Sequence, residues 1–221
     1  MDDSDDESAP IKIPHGEETE APHNDVLMFP NIWHRILICG TSAAGKSYLL
    51  LQLVPLLDFD NLCIFCPTAG QPVMRGIMEW APQHRKTLTV STSLDGLYRC
   101  GKRSLIIVDD FPDKKEIMRA KTLFATSRHN QQHVILIAQY YHEIPRLIRD
   151  NASIAVLLKT DATKSIHMDF SEYISFKRFK DLMRSLSLMD HEYLLINRFA
   201  PPGMQVRLSS LTTFVTNAHE T

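Results

Sequence analysis

Cysteine is scarce: Cys39, Cys63, Cys66 and Cys100 are the four in 221 residues. That is too few for a disulfide scaffold, and three of them lie in apolar stretches that read as strands, so free, mostly buried thiols are expected. Cys63-Ile-Phe-Cys66 has C-x-x-C spacing, but without a second pair or a nearby histidine it reads as core strand rather than a metal or redox pair. The ten histidines are scattered and show no metal-ligand spacing. No apolar run approaches the roughly 20 residues that cross a bilayer. Residues 1–20 are acidic where a signal peptide would be basic and then apolar, so neither a membrane span nor secretion is expected. Internal repeats are absent.

The formal net charge of −2 conceals an asymmetry. Residues 1–20 hold eight acidic residues and one lysine, leaving 18 acidic and 23 basic residues in the remainder, a surplus of five positive charges. A mildly basic body suits a nucleic-acid partner and equally an ordinary solvated surface. Residues 1–24, polar and without hydrophobic period, read as a disordered acidic tail. At 44% hydrophobic the chain suffices for one sizeable α/β domain, expected over 25–200, with a C-terminal extension over 201–221.

The chain is organised around Arg35-Ile-Leu-Ile-Cys-Gly-Thr-Ser-Ala-Ala-Gly-Lys-Ser-Tyr-Leu-Leu50. An apolar strand feeds a glycine-bracketed turn that opens a helix, which is G-x-x-x-x-G-K-[ST], the P-loop or Walker A pattern, in its required context. Gly40 and Gly45 let the backbone of Thr41, Ser42, Ala43 and Ala44 curl so that successive N–H groups converge on an anion. Lys46 is placed for the β- and γ-phosphates of ATP, and the Ser47 hydroxyl for Mg²⁺.

A second run, Leu105-Ile-Ile-Val-Asp-Asp110, is apolar throughout and ends in two carboxylates. Such a run fits a strand buried on both faces of a parallel sheet, and ligands of open α/β sheets bind at the strands' C-terminal ends. It reads as a Walker B strand, with Asp109 on Mg²⁺ and Asp110 orienting or deprotonating the attacking water. Further strands are expected at Asn61–Cys66, Thr87–Val90 (at an edge), His133–Ala138, Ser153–Leu158 and Tyr193–Asn197. Helices are expected at Ser47–Leu57, Met74–Trp80 (ended by Pro82), Leu94–Cys100, Asp113–Ser127, Ile144–Asn151 and Ser171–Leu188. The last is amphipathic, its Lys177, Arg178, Lys180 and Arg184 reading as a solvated face. The aromatics of Asp25–His34 are expected on the sheet edge or near the adenine. Strands alternating with helices predict a three-layer α/β fold with a mostly parallel central sheet.

The P-loop, the Asp109-Asp110 strand and the segment Thr126-Ser-Arg-His-Asn130 to Asn151, with its His-Val-Ile-Leu-Ile-Ala-Gln139 and Ile144-Pro, together resemble the genome-packaging ATPases of large eukaryotic DNA viruses and polinton-like elements. These are the poxvirus-type branch of the FtsK/HerA superfamily, and the resemblance covers about residues 30–160. It implies a RecA/ASCE-like P-loop NTPase that hydrolyses ATP with Mg²⁺ and translocates double-stranded DNA into capsids as a homo-oligomeric ring. It implies capsid proteins as partners, and a place in the host cytoplasm or nucleus where virions assemble, with virion association. It also implies that Gln139 senses the γ-phosphate and that Arg128 is a finger inserted into a neighbouring subunit's site. Many ring ATPases of the wider superfamily carry Asp-Glu where this chain has Asp109-Asp110, which leaves the division of roles within the pair open. Tyr140, Tyr141, Arg146 and Arg149 follow the sensor strand and are candidates for DNA contact or for packing.

The alternative is a nucleoside or nucleotide kinase, which also sets a P-loop on a parallel sheet but needs an acceptor pocket and an arginine-rich lid. A third reading, a module that grips nucleotide or DNA without turnover, is opposed by intact Lys46, Ser47, Asp109 and Asp110.

Overall fold

In the computed structural model, which describes residues 32–111, 114–160, 164–187 and 191–210, the Leu-Ile-Ile-Val run lies inside an eight-stranded sheet. The strands are β1 (Arg35–Cys39), β2 (Asn61–Phe65), β3 (Thr87–Ser91), β4 (Ser104–Asp109), β5 (Gln132–Ala138), β6 (Ile154–Leu157), β7 (Glu192–Asn197) and β8 (Val206–Ser210), in the order β3-β2-β4-β5-β1-β6-β7-β8. All pairings from β3 to β6 are parallel; β7 and β8 continue the sheet antiparallel. Parallel pairing runs Leu37 against Leu136 and Ile106 against Val134, so β1, β5 and β4 end level with one another.

The period of two explains the continuous apolar runs. Ile36, Ile38, Leu105 and Ile107 enter the core on one face, while Leu37, Cys39, Ile106 and Val108 enter the core on the other. The first face is covered by α1 (Lys46–Leu53) and α2 (Pro72–Gln83) through Leu49, Leu50, Leu53, Met74 and Ile77. The second is covered by α3 (Lys114–Ile117), α4 (Ala120–Thr126), α5 (Arg146–Asn151), α6 (Lys164–Met168) and α7 (Phe176–Ser185). The result is the expected three-layer α/β architecture. All four cysteines are free. Cys63 and Cys66 enter opposite cores, because residues three apart on a strand face opposite ways.

Several local expectations change. The helix expected over Ser47–Leu57 starts at Lys46 and tightens to a 3₁₀ turn at Val54–Leu56, around Pro55. Pro82 does not end α2: it sits in the last turn, and the helix stops after it, with the His84 N–H donating to the Trp80 carbonyl. The helix expected over Asp113–Ser127 is two helices, its first residue lying outside the described ones. The chain turns at Met118–Arg119, where the Leu94–Arg99 3₁₀ helix grips it. Tyr98 donates to the Arg119 carbonyl, and Asp95 pairs with the Arg119 guanidinium at 2.6 Å. The amphipathic helix is shorter than its pattern, beginning at the Ser175 N-cap, and its basic residues are solvent-facing while Phe179 and Met183 are buried. Val206–Ser210, within the segment set apart above as an extension, form β8, and residues 211–221 lie outside the described residues. The acidic tail of residues 1–24 lies outside the described residues.

Candidate active site

The loop after β1 is fastened to both neighbouring strands. The Gly40 N–H donates to the Ala138 carbonyl at the end of β5 (3.3 Å), and the Thr41 N–H and hydroxyl both donate to the Lys159 carbonyl beyond β6 (3.0 and 3.1 Å). A Cβ on Gly40 would stand 2.7 Å from the Leu158 Cβ. Gly45 has φ 98°, and a Cβ there would stand 2.8 Å from His191 Nδ1, so two independent constraints require glycine. Ala43 also has positive φ, 58°. Thr41, Ser42 and Ala43 are exposed and Ala44 is buried in the core, so the loop presents its backbone outward above α1. The first N–H groups of that helix lack intrahelical partners and, with the helix dipole, favour an anion.

Lys46 bends back over the loop, its Nζ donating to the Gly40 and Thr41 carbonyls at 2.8 and 2.7 Å. Burial pushes its pKa down, against an upward pull from Asp109, Cys39 and Asp110. Asp109, at the end of β4, is 5% exposed; burial and then the Asp110 charge push its pKa up to about 6, opposed by Lys46. Cys66 Sγ lies 3.9 Å from its Oδ2. Asp110 follows with φ 55°, a left-handed conformation that aspartate tolerates better than most residues. Its Oδ1 accepts a hydrogen bond from Gln139 Nε2 at 3.1 Å. The sheet therefore brings Lys46, Asp109, Asp110 and Gln139 to one edge, in spatial order β4, β5, β1.

The oxygen-only donors, the Ser47 hydroxyl and the Asp109 carboxylate, suit Mg²⁺. The residues fit: Asp109 carries a buried, incompletely compensated negative charge that a divalent cation would neutralise. The loop and α1 likewise fit a triphosphate.

Arg128 is not part of this edge. It is exposed, four residues before β5, at the opposite end of a strand about 20 Å long. Its guanidinium lies 5.1 Å from the centroid of the Phe199 ring. Its charge is felt at Arg35, whose pKa is lowered by burial first, then by Arg128 and then by Arg198. Among the DNA candidates, Tyr141 and Arg149 are taken up by packing. The Tyr141 hydroxyl donates to Asp169 at 2.9 Å, and Arg149 pairs with the same carboxylate and stacks over the Tyr141 ring. Tyr140 is 53% exposed, and Arg146 is exposed, its Nε 3.4 Å from Asp150.

The aromatics before β1 that fall in the described residues do not approach the loop. Trp33 and His34 contact His133 at the start of β5, the far edge of the sheet. His133 Nδ1 accepts from the His34 N–H at 3.0 Å and Nε2 donates to the Asp58 carbonyl at 3.1 Å, and burial lowers its pKa to about 4. What the sequence did not reveal is His191, immediately before β7, which packs on Gly45 and stacks on Tyr48 with ring centroids 6.0 Å apart. A contact between residues so far apart in the chain has no local signal.

No protein-family model matches the sequence, and no curated sequence matches it. Solved structures do. The genome packaging NTPase B204 from Sulfolobus turreted icosahedral virus 2, in complex with ATP-gammaS, matches with a TM-score of 0.56 at 14% identity, over 81% of this chain and 98% of that one. The same NTPase in complex with AMP matches with a TM-score of 0.55 at 15% identity, over 80% and 96%. The cytoplasmic domain of the Thermomonospora curvata Type VII secretion ATPase EccC matches with a TM-score of 0.50 at 15% identity, over 80% of this chain and 23% of that one. At these identities the likeness is one of fold: over nearly the full length of B204, this chain has the P-loop ATPase fold of a viral genome-packaging NTPase.

Proposed function

We propose that the chain is an ATPase that drives double-stranded DNA into a viral capsid, working as a homo-oligomeric ring at the site of virion assembly. The observation that carries this reading is the Gln139–Asp110 hydrogen bond beside the P-loop. It joins a sensor position to a carboxylate, an arrangement suited to activating water rather than to gripping a nucleotide passively. The fold shared with B204, a genome packaging NTPase, supports the cargo.

In this reading the loop N–H groups and Lys46, released from the Gly40 and Thr41 carbonyls, hold the phosphates. Ser47 and Asp109 would hold Mg²⁺, which would supply neutralisation of the phosphate charge. Asp110 takes the proton of the attacking water, and Gln139 fixes the direction of that carboxylate. Arg128, remote from its own loop, stabilises the transition state in a neighbouring subunit. Hydrolysis then depends on assembly.

The test is the ATPase rate of the purified protein, with and without linear double-stranded DNA, across protein concentration. A rate that climbs faster than protein concentration and is stimulated by DNA is expected. A rate indifferent to DNA, at concentrations where an oligomer forms, overturns the translocase reading.

A further inference from the structure

We propose that Tyr48, braced by His191, is the platform on which the nucleobase of the bound nucleotide stacks. The inference rests on the nucleotide-binding reading above and adds to it the end of the ligand that neither the P-loop nor the carboxylates address.

The polarity of the site fixes where that end lies. Along the sheet edge the order is β4 with Asp109 and Asp110, β5 with Gln139, β1 with the loop, then β6, then β7 headed by His191. The hydrolytic groups all stand on the β4–β5 side of the loop, so the γ-phosphate points there. The remainder of a nucleotide lying on the loop must leave on the other side, toward β6 and β7. Because β7 runs antiparallel to β6, its first residues return to the same edge, and His191 arrives beside the loop.

Tyr48 stands on that side of the loop, in the first turn of α1. Leu49, Leu50, Leu51 and Leu53 of the same helix are buried, whereas Tyr48 is 48% exposed, and no burial explains an aromatic there. Its orientation is nevertheless held. The Tyr48 and His191 rings are 6.0 Å apart and 19° from parallel, and His191 is pressed against Gly45, itself part of the phosphate loop. His191 has φ 47°, so its backbone is also in an uncommon conformation. Its buried Nδ1 has no hydrogen-bond partner among the described residues. A polar atom is left unsatisfied and a backbone strained to put this ring against the loop and behind Tyr48.

An exposed ring held in one orientation loses little conformational entropy when a flat ligand stacks on it. Stacking tolerates any base, so the platform predicts no strong choice between ATP and GTP. Tyr48 is the contacting residue. His191 is a positioning residue that ties the platform to the loop.

Calorimetric titration of the full chain with ATPγS and, separately, with inorganic tripolyphosphate, each with Mg²⁺, tests the assignment. Tyr48→Ala is expected to weaken ATPγS by about five- to 150-fold, the range a lost base–aromatic stack supplies. The same variant should bind tripolyphosphate as the unmodified chain does, which also shows that the loop is folded. Tyr48→Phe should restore ATPγS affinity, and His191→Ala should weaken ATPγS more than tripolyphosphate. Equal losses for both ligands in Tyr48→Ala, or no loss for either, would overturn the platform and leave the nucleotide reading standing. An unmodified chain that binds neither ligand would overturn that reading itself, and the platform with it.

Discussion

Gln139 Nε2 and Asp110 Oδ1 are 3.1 Å apart, so the side chain just past the end of β5 holds the carboxylate just past the end of β4. The bond spans adjacent parallel strands whose registers place Asp109 opposite Ile137, two residues before Gln139. Asp110 has φ 55°, and asparagine also tolerates that region. Asp110→Asn therefore keeps both the backbone and an acceptor for Gln139 while removing the proposed base. Nucleotide affinity should stay within about twofold, and single-turnover hydrolysis should fall about 10²- to 10⁴-fold, the usual worth of a positioned base. Hydrolysis surviving in Asp110→Asn would move the base role to another residue.

Burial makes the Asp109 carboxylate a stability cost at neutral pH. Its pKa in the fold is about 6, raised from 3.8 chiefly by burial and then by Asp110. The folded state therefore holds a proton more tightly than the unfolded chain between those values. Stability is penalised above about pH 6 and recovers as pH falls through 6 toward 4. A shift of this size corresponds to about 3 kcal/mol at neutral pH, less whatever Lys46 loses when its partner goes. Asp109→Asn should be more stable than the unmodified chain by about 1–3 kcal/mol in urea denaturation at pH 7.5, with the gap closing by pH 4. The same variant should lose turnover. A variant less stable at pH 7.5 would contradict the sign.

The readable parts of this molecule are those whose cause is local. Gly40 to Ser47 announces itself because the turn needs glycine at Gly45 and the helix must start at once. The apolar runs of β1, β4 and β5 announce buried parallel strands because both faces are covered. The asymmetric parts are not readable in this way. β8 is short, half-exposed at the sheet edge and reads Val-Arg-Leu-Ser-Ser, which carries no continuous apolar signal. The antiparallel return of β7 and β8 leaves no mark in either strand's composition. The break at Met118–Arg119 is set by Tyr98 and Asp95 from another element. The approach of His191 to Gly45 is purely tertiary.

That approach makes a sharp substitution test. At Gly45, alanine meets two obstacles: a left-handed φ costing about 1–2 kcal/mol, and the His191 ring 2.8 Å from the new methyl. Gly45→Ala should abolish measurable ATP binding and lower the thermal midpoint. Adding His191→Ala removes the ring atoms of the second obstacle, keeping the residue-191 Cβ at 3.2 Å from the new methyl, and leaves the first obstacle intact. The double variant should regain part of the lost stability and remain weaker than the unmodified chain. A double variant no more stable than Gly45→Ala would show that backbone conformation alone forbids a side chain there.

Arg128 gives the test of assembly. It lies about 20 Å along the sheet from its own Gln139, exposed, with its guanidinium over Phe199 at 5.1 Å. No side chain spans that distance, so any catalytic part it plays is in a neighbour's site. The local cost of Arg128→Ala is the exposed cation–π contact, about 0.5–1 kcal/mol of stability. Monomeric ATP affinity should be unchanged. Turnover at assembling concentrations should fall by about 10³- to 10⁵-fold, the range for an arginine supplied in trans. Mixing Arg128→Ala with Asp110→Ala subunits restores some competent interfaces, each pairing an intact Asp110 with a neighbour's intact Arg128. Turnover should therefore reappear in the mixture and vanish on dilution. A mixture as inactive as its parts, under conditions where a hetero-oligomer is shown to form, would return Arg128 to the role of a surface residue resting on an aromatic ring.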